Sequence, residues 1–348
     1  HQSSINYNNI LLIKKKSGFD MKLLVTGGLG FIGSNFITKI LEEKSDFEIV
    51  NVDAQLHGAD KRNLSGIENN ENYEFVNGNI TNKRLMEELI SKCDAVVNFA
   101  AESFVDRSIN NADPFLVSNI RGAFTILDII TKQKKRMIQI STDEVFGSLP
   151  KGSADEQTKF NPSSPYAATK AAAELLINSF SITHNSDVVI TRCTNNYGPR
   201  QFPEKLIPKT IILAKQERSI PIYGNGKNLR DWIFVDEHCD AVYEILINGK
   251  AGQAYNISAN NEISNVQIVH KILEIMGKSN DLIEFVEDRP GHDQRYSLDS
   301  SKIKNEFGWS TKINFEEGLR KTIEWYEKNF SYYESISNEI LKSTPWKN

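Results

Sequence analysis

Cysteine and histidine are scarce in this sequence. Only three cysteines occur, Cys93, Cys193 and Cys239. Their odd number and wide spacing match neither a disulfide framework nor a zinc site. The six histidines show no metal-ligand spacing either, so no metal is expected. Sparse cysteine is typical of a reducing compartment, which predicts a cytoplasmic protein.

Long apolar runs and a strong net charge are also lacking. No run approaches the ~18 apolar residues of a membrane-spanning helix, so no membrane segment is expected. The formal net charge is -4, which gives no reason to expect nucleic acid as a partner. Residues 1–20 are predicted to be a leader or tag, because the short apolar run at 10–13 is followed by lysines and Met21 directly precedes a strong strand pattern.

Strand and helix patterns alternate from Met21 onward. Strands are predicted over residues 22–26, 48–53, 73–76, 95–99, 136–141 and 188–192, and helices over 34–44, 82–92, 114–131 and 164–184. This order predicts a doubly wound α/β fold, with a parallel sheet covered by helices on both faces. Short strands near 232–235 and 254–257 are expected to return to the sheet. Helices predicted over 264–277 and 314–329 indicate a smaller, mostly C-terminal lobe.

A glycine-rich loop joins the first predicted strand to the first helix. It reads GGLGFIG over residues 27–33 and satisfies GxGxxG from Gly28. Glycines let the backbone approach a pyrophosphate, and the following helix N-terminus attracts the anion. Asp53 ends the next strand, where its carboxylate can bind a ribose 2′-hydroxyl and would repel a 2′-phosphate. The pattern predicts a Rossmann-type domain that binds NAD in preference to NADP.

A second group of residues can carry acid–base chemistry. Tyr166 and Lys170 share one helix face at spacing i, i+4, and a nearby ammonium favours a phenolate base. Thr142 follows the strand at 136–141, at the sheet edge where ligands bind in such folds. Asp143 and Glu144 are adjacent carboxylates at this edge. Different environments can push their pKa values apart, giving one acid and one base.

Together these motifs resemble the extended short-chain dehydrogenase/reductase family, and most closely the dTDP-glucose 4,6-dehydratases. The similarity covers roughly residues 21–330. It rests on TGGLGFIGSNF at 26–36, AAESFVDRSI at 100–109, STDEVFGS at 141–148, SPYAATKAAAE at 164–174, TRCTNNYGPRQFPEKLIP at 191–208, GNGKNLRDWIFVDEHCDAV at 224–242 and DRPGHDQRY at 288–296. The Thr-Asp-Glu trio separates these dehydratases from 4-epimerases and from relatives that carry Thr-Ser-Glu.

The resemblance implies conversion of dTDP-glucose to dTDP-4-keto-6-deoxyglucose and water, with NAD as a hydride shuttle. Tyr166, assisted by Lys170 and Thr142, would take the proton of the sugar 4-hydroxyl. Glu144 would then remove the C5 proton, and protonated Asp143 would donate to the departing C6 hydroxyl. The hydride taken from C4 would return to C6.

The resemblance also implies binding residues and an assembly. The cofactor residues would be Gly27, Gly30, Phe31, Ile32, Gly33, Asp53, Asn79, Ile80, Ala100, Ala101, Ser118, Tyr166, Lys170 and Asn196. The substrate residues would be Ser103, Thr142, Asn195, Lys205, Leu206, Pro221, Tyr223, Arg230, Asn265, Arg289 and His292. A homodimer is implied, formed by a bundle of the helices predicted at 114–131 and 164–184.

These expectations divide the chain into parts. An NAD-binding domain is expected over 21–196, with returning segments near 229–262. Segments 197–228 and 263–335 would form the substrate-binding lobe, and 336–348 a C-terminal tail.

The sequence departs from the family pattern at four positions. Phe104 stands where the family usually has His, Phe146 where it usually has Tyr, and Asn79 where it usually has Asp, and Arg200 is also atypical. None belongs to the catalytic set, so these departures bear on specificity. UDP-glucose is an alternative substrate. A 4-epimerase, a UDP-sugar decarboxylase and a catalytically silent NAD-binding regulator are alternative functions.

Overall fold

The computed structural model describes residues 21–334 and 336–347. The predicted leader at 1–20 lies outside the described residues. Within them, a seven-stranded parallel sheet has the order β10-β6-β5-β4-β1-β2-β3, the strand order of a doubly wound fold. Its strands are β1 (Met21–Thr26), β2 (Phe47–Asp53), β3 (Tyr73–Asn77), β4 (Ala95–Asn98), β5 (Arg136–Thr142), β6 (Val188–Cys193) and β10 (Ala254–Ile257).

The central strands are largely apolar because helices cover both faces. In β1, Leu23 and Val25 join the hydrophobic cluster on one face, and Leu24 joins the cluster on the other. All three side chains are fully buried. This alternation follows from the two-residue period of a strand, and it leaves the carboxyl ends of the strands as the edge open to ligands.

The first helices along the chain are α1 (Phe31–Glu43), α2 (Lys83–Ser91) and the short α3 (Val105–Asn110). The helix predicted over 114–131 is not continuous. It consists of α4 (Asp113–Phe115), a π-helical segment (Leu116–Gly122) and α5 (Ala123–Gln133). Hydrophobic spacing does not report the wider hydrogen-bond period of a π-helix, which often occurs at functional sites. The following helix, α6, spans Pro165–His184.

One of the two expected returning strands does not join the main sheet. Strand β10 pairs in parallel with β6, which confirms the prediction at 254–257. Strand β9 (Leu229–Phe234) instead pairs with β7 (Asn195–Tyr197) and β11 (Glu262–Ser264), so the prediction near 232–235 is wrong. A short apolar run indicates a strand but does not indicate which neighbour supplies its hydrogen bonds.

The C-terminal part of the chain has a hydrophobic cluster of its own. It brings together helices α7 (Leu206–Lys215), α9 (Asn265–Met276) and α11 (Phe315–Lys328) and the paired strands β8 (Ile220–Tyr223) and β12 (Ile283–Val286). Helix α8 (Val235–Asn248) packs against the main sheet, and α10 (Ser301–Phe307) contacts β10. The expected boundaries between an NAD-binding domain, a substrate lobe and a tail stay a prediction.

Among residues 21–334 and 336–347, no helix has the length and apolar character needed to cross a membrane. The same residues contain no group of His, Cys, Asp and Glu side chains arranged to hold a metal ion.

Candidate active site

The glycine loop brings the backbone close enough for a pyrophosphate to bind. Gly27 has φ of +71°, and a Cβ there would lie 2.6 Å from the backbone nitrogen of Ala100. A Cβ on Gly33 would lie 2.6 Å from the carbonyl oxygen of Gly27. At the start of α1, no described side chain caps the helix and the first turn has no acidic residue. The helix N-terminus therefore offers amide donors to an anion.

Asp53 lies at the end of β2, beside the glycine loop. Its Oδ2 accepts a hydrogen bond from the Leu29 amide at 3.0 Å, and its Oδ1 accepts one from the Gln55 amide at 2.7 Å. These bonds fix the carboxylate at the wall of a cavity of about 290 Å³. Burial raises the pKa of Asp53, while the two amides oppose the rise. The loop and the carboxylate together fit the pyrophosphate and ribose of NAD.

This NAD cavity contains every residue that the sequence implied for the cofactor. It is lined by Gly27, Gly30, Phe31, Ile32, Gly33, Asp53, Asn79, Ile80, Ala100, Ala101, Ser118, Tyr166, Lys170 and Asn196. Ser118 reaches it from the π-helical segment Leu116–Gly122. The structure thus brings these residues together, and their individual contacts with the cofactor stay a prediction.

A second cavity of about 170 Å³, the substrate cavity, adjoins the first. It is lined by the implied substrate residues Asn195, Lys205, Leu206, Pro221, Tyr223, Arg230, Asn265, Arg289 and His292. The other two, Ser103 and Thr142, line the NAD cavity. The walls of both cavities include Phe104, Glu144, Asn195, Asn196, Gln201 and Lys205. Glu144 therefore stands where a cofactor in one cavity meets a substrate in the other.

The turn after β5 positions the two carboxylates. Thr142 ends the strand, and Asp143 and Glu144 begin a one-turn 3₁₀ helix. The Thr142 hydroxyl donates to Asp143 Oδ1 at 3.1 Å, and the Glu144 amide donates to the Thr142 hydroxyl at 3.3 Å. The second oxygen of Asp143 is buried and has no hydrogen-bond partner among the described residues. An unpaired buried oxygen favours the protonated carboxyl.

The two carboxylates have different electrostatic surroundings. Burial and the charge of Glu144 raise the pKa of Asp143 well above its usual value. Burial also raises the pKa of Glu144, but Arg289, Lys205 and Arg230 oppose that rise. Asp143 is thus suited to hold a proton and donate it, and Glu144 to accept one. The catalytic roles that the sequence implied for Asp143 and Glu144 stay a prediction.

Tyr166 and Lys170 differ from the sequence expectation in their electrostatics. Burial, followed by the charge of Glu144, raises the pKa of Tyr166 well above its usual value. Burial lowers the pKa of Lys170 to about 8. The Lys170 ammonium donates to the carbonyl oxygen of Ile140 at 2.6 Å. The sequence shows the spacing of the pair, but it does not show how strongly burial opposes the phenolate.

Four Lys and Arg side chains line the substrate cavity, and three of them, Arg230, Lys205 and Arg289, were implied by the sequence. Arg230 donates to the carbonyl oxygen of Asp293 at 2.8 Å and lies 4.2 Å from the centre of the Tyr296 ring. Lys205 donates to the carbonyl oxygen of Ser103 at 2.9 Å. Arg289 is the third cation. Their combined charge suits a diphosphate, the substrate class that the sequence implied.

Phe104 belongs to an aromatic cluster that sequence reasoning missed. Its ring centroid lies 4.7 Å from that of His57 and 5.6 Å from that of Phe202. His57 Nε2 contacts Glu204 Oε2 at 2.7 Å, and Arg107 pairs with the same carboxylate at 3.0 Å. The cluster joins the loop after β2 to the loop before α7. These residues are distant in sequence and match no motif, so only the fold reveals the contact.

The other departures from the family pattern have local partners. Phe146 lies 5.1 Å below the guanidinium of Arg192. The Asn79 side chain accepts hydrogen bonds from the amide and hydroxyl of Thr81. Arg200 donates to Asn35 Oδ1 at 2.9 Å. Phe146 and Arg200 therefore act in packing, and only Asn79 lines the NAD cavity.

Asp143→Asn should stabilise the fold at neutral pH. A carboxyl with a raised folded-state pKa keeps a proton that the unfolded chain releases above about pH 3.8. Its contribution to stability therefore falls as the pH rises above that value. Asparagine has no such proton to lose. Urea denaturation of both proteins at several pH values measures the difference, which should shrink towards about pH 4. A gain independent of pH would contradict this assignment.

Comparisons with known proteins agree with this geometry. The model of the GDP-mannose 4,6 dehydratase family matches residues 24–322. The low-salt glycan biosynthesis protein Agl12 of Haloferax volcanii is 46% identical over 88% of this chain and 98% of its own. The dTDP-glucose 4,6-dehydratase of Streptomyces niveus is 42% identical over 91% of this chain and 96% of its own.

A solved structure extends the comparison to three dimensions. The dTDP-glucose 4,6-dehydratase DesIV of Streptomyces venezuelae, with NAD and TYD bound, is 39% identical and superposes with a TM-score of 0.89. The match covers 92% of this chain and 100% of DesIV. The fold, the paired cavities and these relatives agree: the chain belongs to the dTDP-glucose 4,6-dehydratase family and is an NAD-dependent dehydratase.

Proposed function

We propose that this protein converts dTDP-glucose to dTDP-4-keto-6-deoxyglucose and water. The observation that carries the proposal is the adjacent pair Asp143 and Glu144. Asp143 lines the NAD cavity and Glu144 lines both cavities, and three cations oppose the rise in the pKa of Glu144, whereas the charge of Glu144 adds to the rise in the pKa of Asp143. The pair lies in the same cavity wall as Tyr166 and Lys170. A site that only binds NAD has no need of a protonated carboxyl beside a second carboxylate.

NAD⁺, when bound, supplies a positively charged ring that accepts a hydride and later returns it. The cofactor would be held by the glycine loop, the N-terminus of α1 and Asp53. Tyr166 takes the proton of the sugar 4-hydroxyl, and the ammonium of Lys170 and the hydroxyl of Thr142 support that transfer. Formation of the phenolate requires positive charge nearby, because burial alone keeps Tyr166 protonated.

The elimination follows from the two carboxylates. A ketone at C4 acidifies the C5 proton, and Glu144 removes it. Asp143 gives its proton to the C6 hydroxyl, so the C6–O bond breaks and water leaves. Glu144 then returns a proton to C5 as C6 receives its hydride. Tyr166 then holds the proton of the 4-hydroxyl and Asp143 lacks one, so Tyr166 releases a proton to solvent and Asp143 takes one up before the next turnover. With that step the overall reaction is the loss of one water without net oxidation.

The substrate assignment is tested with a panel of dTDP-glucose, UDP-glucose, GDP-mannose and UDP-glucuronate. We expect mass spectrometry to show loss of water from dTDP-glucose, because Arg230, Arg289 and Lys205 suit its diphosphate and the catalytic pair suits its 6-hydroxyl. Loss of water from another sugar nucleotide alone would refute the dTDP-glucose assignment. A product inverted at C4, or release of CO₂, would instead identify an epimerase or a decarboxylase. Binding of NAD without any turnover would favour a regulator.

We also propose a homodimer through the helices around α5 and α6. Leu175 is 59% exposed and Ile182 is 82% exposed, although both are large and apolar. Leu116, Val117 and Phe124 are exposed on the neighbouring segment. Pairing across a two-fold axis would bury all of these side chains in a helix bundle.

The double change Leu175→Glu and Ile182→Glu should convert the dimer into monomers, because it places charges in the buried interface. Light scattering at micromolar concentration measures the mass of both proteins. Phe285→Glu is the matched control, since Phe285 is 57% exposed but lies on β12, outside these helices. A monomeric mass for the unmodified chain would contradict the proposal.

The three cysteines are buried free thiols in the described part of the chain, which supports the proposal of a cytoplasmic enzyme.

A further inference from the structure

The substrate cavity contains a carboxylate with no role in the mechanism above. Asp106, on α3, lines this cavity. Its Oδ1 accepts a hydrogen bond from Arg289 Nη1 at 2.9 Å, and its Oδ2 accepts one from the Tyr223 hydroxyl at 3.0 Å. The Asp106 side chain is 14% exposed and that of Arg289 is 15% exposed. One largely shielded carboxylate thus joins two cavity residues that are far apart in sequence.

Asp106 accepts a hydrogen bond from one nitrogen of the Arg289 guanidinium and leaves another nitrogen unpaired. Arg289 Nε is buried and has no hydrogen-bond partner among the described residues. A buried donor is costly to leave unpaired, so this nitrogen is matched to an incoming oxygen. A guanidinium binds anionic oxygens best when its own plane is held in one orientation. The bond from Nη1 to Asp106 fixes that plane before the ligand arrives.

Tyr223 also contacts the C-terminal segment, residues 336–347. The ring of Trp346 meets that of Tyr223 edge to face, with centroids 4.7 Å apart and planes at 87°. Trp346 is only 8% exposed although it lies near the end of the chain. The segment is fixed by Lys209 of α7, which donates to the carbonyl oxygen of Lys342 at 3.1 Å. The contacts therefore run from Trp346 through Tyr223 and Asp106 to Arg289.

We propose that Asp106 and Trp346 are positioning residues for the nucleotide part of the substrate. Asp106 orients Arg289 and Tyr223, and Trp346 keeps the Tyr223 ring in place. The inference rests on the proposed function and deepens it, because it assigns the binding of the nucleoside diphosphate to a preorganised wall. Among the described residues, neither Asp106 nor Trp346 forms a hydrogen bond with Asp143 or Glu144. Arg289, whose charge faces Glu144, stays present and charged in both variants, so we expect the larger effect on binding and a smaller one on the chemical step.

The test measures dTDP affinity by calorimetry, and KM and kcat with dTDP-glucose. Asp106→Asn should weaken dTDP binding and raise KM by about tenfold, with kcat within about twofold of the unmodified protein. Trp346→Ala should raise the dissociation constant of dTDP and KM by about threefold, because this factor corresponds to the free energy of one aromatic edge contact. Trp346→Phe should restore most of the lost affinity, since it keeps an aromatic ring. Asp113→Asn, an exposed carboxylate on the neighbouring α4, is the matched control.

The combination of both changes separates positioning from general loss of structure. Because both residues act through Tyr223, the double variant should bind dTDP about as weakly as Asp106→Asn alone. NAD content should stay unchanged in every variant. Fully additive effects, or Asp106→Asn with unchanged dTDP affinity, would overturn the inference. If the unmodified protein binds dTDP but dehydrates no dTDP-glucose, the proposed function fails, and the dTDP affinities still decide the roles of Asp106 and Trp346.

Discussion

Asp143→Asn should lower the rate of water loss by about 10²–10⁴-fold while exchange of the C5 proton with solvent deuterium continues. The reason is that Asp143 is the proposed proton donor and Glu144 the proposed base. Asparagine keeps an oxygen for the Thr142 hydroxyl but has no proton for the C6 oxygen. Glu144 still faces Arg289, Lys205 and Arg230, so it remains a base. The enzyme should therefore open the C5–H bond repeatedly without completing the elimination.

Glu144→Gln should differ from Asp143→Asn in the exchange of the C5 proton. C5 exchange and water loss should fall together, because a glutamine cannot accept the C5 proton. Glu68→Gln is a control at an exposed position that lines neither cavity. Nuclear magnetic resonance in D₂O measures exchange at C5, and mass spectrometry measures water loss in the same samples. If Asp143→Asn abolished exchange and Glu144→Gln preserved it, the acid and base assignments would be reversed.

Tyr166→Phe should reduce oxidation at C4 by about 10²–10⁴-fold and thereby stop every later step. The ring is buried in the wall of the NAD cavity, so phenylalanine fills the same space and removes only the hydroxyl. Neither C5 exchange nor water loss should be detectable above the residual rate of oxidation. This result differs from that of Asp143→Asn, in which exchange persists.

The same experiment includes controls for folding and for the cofactor site. NAD content and thermal stability should stay close to those of the unmodified protein, because the cavity keeps its shape. Tyr332→Phe is the matched control, since Tyr332 is exposed on the protein surface. Near-normal oxidation by Tyr166→Phe would mean that another group accepts the proton of the 4-hydroxyl.

Local patterns in the sequence were sufficient to predict most of the sheet and the cofactor cavity. The glycine loop, the strand before it and Asp53 lie within one β-α-β unit, so their geometry follows from neighbouring residues. The Thr142-Asp143-Glu144 trio was likewise predictable, because its position at a strand end fixes the edge of the sheet that it faces. In each case the side chains that matter are separated by few residues or by one regular element.

Features that depend on distant contacts were not predictable in the same way. Strand β9 takes its partners from β7 and β11, and a local pattern does not identify such partners. The pKa of Tyr166 depends on how deeply the ring is buried, which the spacing to Lys170 does not report. The pairing of Asp106 with Arg289 joins residues 183 positions apart. Such contacts follow from the tertiary structure alone.

The cofactor and the sugar should stay together until the hydride taken from C4 has been returned to C6. Incubation of C4-deuterated dTDP-glucose with unlabelled dTDP-glucose that carries a heavy-carbon tag tests it most directly. We expect deuterium at C6 only in product molecules without the carbon tag, and no accumulation of free reduced NAD. Substantial deuterium in the carbon-tagged product, or steady release of reduced NAD, would contradict the shuttle and indicate an ordinary dehydrogenase.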